Sequence, residues 1–142
     1  MRHIRRGTTL IEQLVVIAIL AIVTAIAVTT AVRQLDAAAV HAASREVADA
    51  FAAARDHAMA SGRRTAVRVR ARDTVLLVHA DDDLLEQRRL GLTYGVSVTG
   101  TRDSMAYAPT GLGWGAANLS VRIARGRAAD TVTVSRLGRV SR

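Results

Sequence analysis

The residue with the clearest chemistry is Glu12, a lone carboxylate at the mouth of an uncharged run from Gln13 to Val32. Twenty residues of helix at about 1.5 Å each reach roughly 30 Å, the thickness of a bilayer's hydrocarbon core, so length alone makes this run a membrane span. A carboxylate at the edge of that core costs on the order of a few kcal/mol unless a cation at the same depth neutralises it. Glu12 therefore calls for a positive partner. Arg2, Arg5 and Arg6 precede it, and the positive-inside rule puts the N-terminus in the cytoplasm and the rest of the chain beyond the membrane.

A second group with possible chemistry lies at the other end. Residues 119–142 carry Arg122, Arg125, Arg127, Arg136, Arg139 and Arg142 against Asp130 alone. Arg136, Arg139 and Arg142, on a mobile tail, could contact phosphates and give salt-dependent binding of DNA without sequence choice. A solubilising basic face is the favoured reading, because every basic side chain in the protein is arginine and the whole composition is biased that way.

Enzymatic and metal chemistry find little footing. His3, His41, His57 and His79 share no ligand spacing, and there is no Gly-x-Ser-x-Gly elbow, phosphate loop or catalytic carboxylate pair. Asp81, Asp82, Asp83 and Glu86 lack the glycine and the ligand spacing of a calcium loop, and read as a solvated turn. With no cysteine there is no disulfide or thiolate site. The expectation is a non-enzymatic protein without metal or cofactor. Trp114, set between glycines, is read as a plug at a sheet edge in preference to a docking anchor.

The elements that must position these groups follow from periodicity. At 142 residues, with about a quarter of the chain in the N-terminal segments, there is room for one small external domain. From Arg33 to about Ser61 there is no proline or glycine, and Val40, Ala43, Val47, Phe51, Ala54 and Ala58 recur at steps of three or four. That spacing predicts one long helix, apolar all round at first and amphipathic afterwards, closed by Gly62 in a left-handed C′ position. An apolar stripe in water needs tertiary burial. Strands are expected at 66–72, 74–79, 84–90, 93–99, 119–123 and 131–135, with Asp73 and Asp81 to Asp83 in turns and an irregular loop over 109–115. Helix first and antiparallel strands after make the fold α+β.

Gly7-Thr8-Thr9-Leu10-Ile11-Glu12-Gln13-Leu14-Val15-Val16 resembles the class III signal of type IV pilins and type II secretion pseudopilins. Thr8 stands where phenylalanine is usual, and Gln13 replaces an apolar residue. The resemblance implies that a prepilin peptidase cuts between Gly7 and Thr8 and methylates the new amino group. Cleavage removes three arginines and lowers the formal charge from +8 to +5. The resemblance also implies that Glu12, the fifth mature residue, pairs with the amino terminus of a neighbouring subunit in a filament. Many major pilins kink at a proline where this chain has Thr29, so a straighter helix is expected. Downstream, Ala54-Arg55-Asp56-His57-Ala58 and Ser135-Arg136-Leu137-Gly138-Arg139 are similar to stretches of the pseudopilin H and FimT-like family.

The organisation expected is a leader at 1–7, a transmembrane helix at 8–32, its amphipathic extension at 33–62 and a β-rich external domain at 63–142. The fold expected is pilin-like, the long helix packed on an antiparallel β domain. Two functions follow. One is a minor pseudopilin or pilin that helps to initiate or cap a short envelope filament for protein export or pilus growth, with prepilin peptidase, other pilins and the inner membrane as partners. The other is a DNA-binding minor pilin for DNA uptake, which the resemblance links to a Gly-Arg-x-Arg tail. This chain reads Gly138-Arg139-Val140-Ser141-Arg142, one residue longer between the arginines.

Overall fold

The computed structural model describes residues 9–114 and 118–142. The chain divides into two units, Met1–Gln34 and Leu35–Arg142. Helix α1 runs without a break over Leu10–Ser61. Its first part holds an 18-residue window of mean hydropathy 2.8 with none of it buried. Threonine hydroxyls in this part satisfy themselves on the helix: Thr24 donates to the Leu20 carbonyl at 2.7 Å, and Thr29 and Thr30 both donate to Ile26 at 2.9 and 3.0 Å. Such bonding lets a hydroxyl sit in an apolar medium without an outside partner.

In the second unit, every residue of the anticipated apolar stripe, Val40, Ala43, Val47, Phe51, Ala54 and Ala58, is buried. The helix ends where expected, with Gly62 at φ +66° and its N–H donating to the Ala58 carbonyl at 3.1 Å. Two antiparallel sheets cover the stripe. The first has β1 (Thr65–Arg70), β2 (Val75–Ala80), β3 (Asp83–Arg89), β5 (Ser104–Tyr107) and β6 (Gly113–Trp114) in the order β3-β2-β1-β5-β6. The second has β4 (Ser97–Gly100), β7 (Leu119–Arg125), β8 (Ala128–Val134) and β9 (Val140–Ser141) in the order β4-β7-β8-β9. A short helix, α2 (Leu90–Tyr94), follows β3.

Alternation sets which side chains meet the helix. Thr65, Val67 and Val69 of β1 face inward while Arg68 and Arg70 face out, and Leu119, Val121 and Ile123 of β7 are buried with Arg122 exposed between them. Phe51 and Tyr107 are the largest fully buried side chains of the resulting single core. Burying each large apolar side chain is worth about 1.5–3 kcal/mol.

Three expectations are corrected. The strand anticipated from Thr93 begins at Ser97, because 90–94 close into α2, capped by Gly95 at φ 64°. A Cβ at Gly91 would overlap the Thr74 hydroxyl, so the turn is pressed against the β1–β2 loop and needs glycine there. The loop over 109–115 is not wholly irregular: Gly113 and Trp114 pair with Tyr107 and Ala106. Trp114 does not plug the edge with its ring, since its side chain is 62% exposed and only its backbone joins the strand. β5 and β9 carried no sequence signal strong enough to read.

Candidate assembly segment and basic C-terminal face

Gly7 and Thr8, the expected processing site, lie outside the described residues. The helix start that follows them is built by Thr9. Its hydroxyl accepts the backbone N–H of Glu12 at 3.2 Å, and its carbonyl accepts the N–H of Gln13 at 3.2 Å. Thr9 is thus the N-cap and Glu12 the third helical residue, the Thr-x-x-Glu spacing of a capping box. The Thr-x-x-Glu spacing of residues 9–12 is the signal in the sequence that encodes this cap. A carboxylate there also faces the positive end of the helix dipole. Among the described residues no cation lies in ion-pair contact with Glu12, and all of Leu10 to Val16 is exposed. The segment has the geometry of a helix end that presents one anionic group at the edge of an apolar surface.

The three C-terminal arginines are exposed, but they do not sit on a free tail. Ser135 donates its N–H to the Arg139 carbonyl at 2.8 Å, Gly138 donates to Ser135 at 2.9 Å, and the Ser135 hydroxyl accepts the Arg139 N–H at 3.1 Å. This tight turn carries Arg136 and Arg139 and leads into β9, which pairs Ser141 with Thr133. Arg142 lies elsewhere, beside His41, Arg45 and Asp130. The chain end is therefore paired into the second sheet, and Arg142 has neighbours other than those of the 135–139 turn. Arg125, also counted in the basic stretch, is matched by Asp36 at 2.9 Å.

Sequence reasoning missed the polar contacts that fix the helix to the sheets. Arg55 Nε donates to the Gly111 carbonyl at 3.0 Å. Tyr94 donates its hydroxyl to Glu46 at 2.6 Å, and that bond to the carboxylate pushes the phenol pKa up. Arg88 donates to the Glu46 carbonyl at 3.0 Å while its other nitrogens hold Glu86, whose carboxylate raises the guanidinium's affinity for its proton. The aspartates read as a solvated turn are partly bound: Arg63 grips Asp81 at 3.0 Å and Asp83 at 2.9 Å, clamping the β2–β3 turn. Pairs of this kind have no signature in sequence spacing.

Residues 43–138 match the family model described as type II transport protein GspH, and residues 2–28 match that of the prokaryotic N-terminal methylation motif. Comparison with curated protein sequences returns no match. Among solved structures, the chain is similar to the type IV minor pilin FimU of Pseudomonas aeruginosa, with a TM-score of 0.61 and 11% identity over 72% of this chain and 86% of that one. It is similar too to the minor pseudopilin EpsH of the Vibrio cholerae type 2 secretion system, with a TM-score of 0.57 and 14% identity over 72% of this chain and 94% of that one. These likenesses match the pilin-like packing of helix on antiparallel sheets described above. The chain belongs to the GspH family of type II transport proteins.

Proposed function

We propose that the chain is made as a precursor anchored in the inner membrane, with residues 1–7 as a cytoplasmic leader, 8–32 as the span, 33–62 as its helical extension and 63–142 as the external domain. Prepilin peptidase cuts after Gly7 and methylates Thr8, and the mature subunit helps to initiate or cap a short filament that drives export or pilus growth. The observation that carries this reading is the position of Glu12 in the first turn of an exposed apolar helix. A neighbour's terminal ammonium would neutralise it there and set the axial register of the two helices. Within an apolar filament core, leaving one partner of such a pair alone costs about 3–5 kcal/mol.

The test is crosslinking to partner pilins in membranes. Glu12→Leu inserts as well as the wild type, because the Thr9 cap is made to the backbone of residue 12, and it loses the crosslinks. Equal crosslinking by both proteins removes the assembly role.

A rival reading, capture of DNA by Arg136, Arg139 and Arg142, is supported by the exposure of all three. The turn that holds Arg136 and Arg139, and the pairing of the following residues in β9, favour solvated surface charge over a mobile DNA-capturing tail. A gel shift at two salt concentrations, with full-length protein in detergent and the triple alanine variant, separates the two. The DNA reading requires binding in dilute buffer that the variant loses.

A further inference from the structure

Three segments of the second unit converge on one guanidinium. Arg125 Nε lies 2.9 Å from Asp36 Oδ1, and its Nη1 donates to the Tyr94 carbonyl at 2.6 Å. A Cβ on Gly126, at φ 55°, would collide with the Asp36 carboxylate. The first turn of the unit's helix, the end of α2 and the β7–β8 turn are therefore gathered at one end of the unit. Two of the chain's most exposed leucines stand on these segments, Leu92 at 81% and Leu35 at 65%. Arg127, in the β7–β8 turn, and Arg89, the last residue of β3 and the N-cap of α2, are exposed. The acids near these segments have partners: Asp36 is matched by Arg125, Glu46 accepts the Tyr94 hydroxyl, and Asp73, next to the Thr74 that packs against Gly91, is paired with Arg70 at 2.7 Å. Leu35, Leu92, Arg89 and Arg127 are offered to solvent beside them.

Chain connectivity says what lies nearby. Leu35 is three residues past Val32, the last residue of the uncharged run. However the chain bends, three residues span no more than about 11 Å. An anchored chain cannot carry Leu35 far from the membrane surface.

We propose that this end of the unit is a lipid-docking face, with Leu35 and Leu92 seated among the headgroups of the membrane that holds the span, and Arg89 and Arg127 paired with anionic phospholipid headgroups. The inference rests on the anchoring described under Proposed function. Exposed leucines gain by leaving water for the interface, and arginines beside them complement negative lipid, the two signals that together make surface attachment stable. Docking would turn the far end of the unit away from the bilayer: Arg55 is nineteen residues along α1 from Asp36, or about 28 Å at helical rise. The turn that carries Arg136 and Arg139, which packs by Arg55, would then be offered to partners.

The chain has no cysteine, so single nitroxide labels can be placed on the full-length protein at Leu92→Cys and, near Arg55, at Leu112→Cys. Both are measured in phosphatidylcholine vesicles with and without phosphatidylglycerol, after flotation has verified membrane association. The label at 92 should be more accessible to oxygen than to a water-soluble nickel chelate, and the label at 112 the reverse. Phosphatidylglycerol should increase immersion at 92, and Arg89→Glu or Arg127→Glu should each cut that preference about fivefold or more. A label at 92 as water-exposed as the one at 112, in protein that floats with the vesicles, overturns the docking face and leaves the anchor standing. Protein that does not float overturns the anchor and the docking face with it.

Discussion

Arg55 Nε donates to the carbonyl of Gly111 at 3.0 Å, joining residues 56 positions apart. Gly138 closes on the same pair: a Cβ there would lie 2.7 Å from the Gly111 oxygen and 3.2 Å from Arg55 Nε. Gly111 and Gly138 both have positive φ, 76° and 78°. The two downstream stretches that resemble the family, 54–58 and 135–139, thus meet in space around one loop carbonyl. Their joint occurrence in the sequence has a structural cause.

Arg55→Ala should therefore loosen the 109–113 loop and the 135–139 turn together. A half-buried, charge-assisted bond of this kind contributes about 1.5–3 kcal/mol. Urea titration of the protein in detergent reads the loss, and hydrogen exchange should show both segments opening. Destabilisation below 0.5 kcal/mol, or opening of one segment alone, contradicts the linkage.

Gly126→Ala and Gly62→Ala form a matched pair. Both residues have positive φ, but a Cβ at Gly62 meets nothing within 4 Å whereas one at Gly126 strikes Asp36. Gly62→Ala should cost about 1 kcal/mol, the strain of a left-handed alanine. Gly126→Ala should cost about 1–3 kcal/mol more, because it also breaks the contact of Asp36 with Arg125. Equal losses would mean that the Asp36 contact contributes nothing.

Tyr107 is fully buried, its hydroxyl finds no partner among the described residues, and burial pushes its pKa up to about 12, with Arg55 pulling in the opposite direction. Since the folded pKa lies above the ordinary value of 10.0, the folded state resists losing this proton. The associated stability is complete below pH 10 and falls as pH rises from 10 towards 12. Tyr107→Phe should flatten that part of the alkaline unfolding profile. At neutral pH the change should be neutral or stabilising by about 1 kcal/mol, because a buried unpaired hydroxyl is removed. An unchanged alkaline slope would show that another group controls it.

What the sequence made legible depended on periodicity. The stripe from Val40 to Ala58 and the alternation around Val67, Val121 and Val132 are periodic patterns, and each came out on the expected face. Leu90 to Tyr94 misled because a short apolar run between glycines reads as strand or helix turn alike, and contact with Thr74 decides between them. The two-residue strands β6 and β9 exist only because longer neighbours pair with them. Of the candidate site, the charge of Glu12 is legible in the sequence, and its cap by Thr9 is encoded in the Thr-x-x-Glu spacing. That the segment between Arg139 and Arg142 is paired as β9 and not a mobile tail was not legible, since it depends on where β9 docks. Asp36 and Arg125 are 89 positions apart, and no local pattern announces such a pair.

The central proposal is a subunit processed by prepilin peptidase that helps to initiate or cap a filament, and the N-terminus of the mature protein tests it most directly. Full-length chain is co-expressed with a prepilin peptidase, purified from membranes in detergent and measured by intact mass with N-terminal fragmentation, alongside Gly7→Leu. The account predicts that the wild type begins at Thr8 with a methylated amino group, and that Gly7→Leu keeps residues 1–7. Wild-type protein that retains its leader under those conditions, or that is cut beyond Val32, contradicts the account.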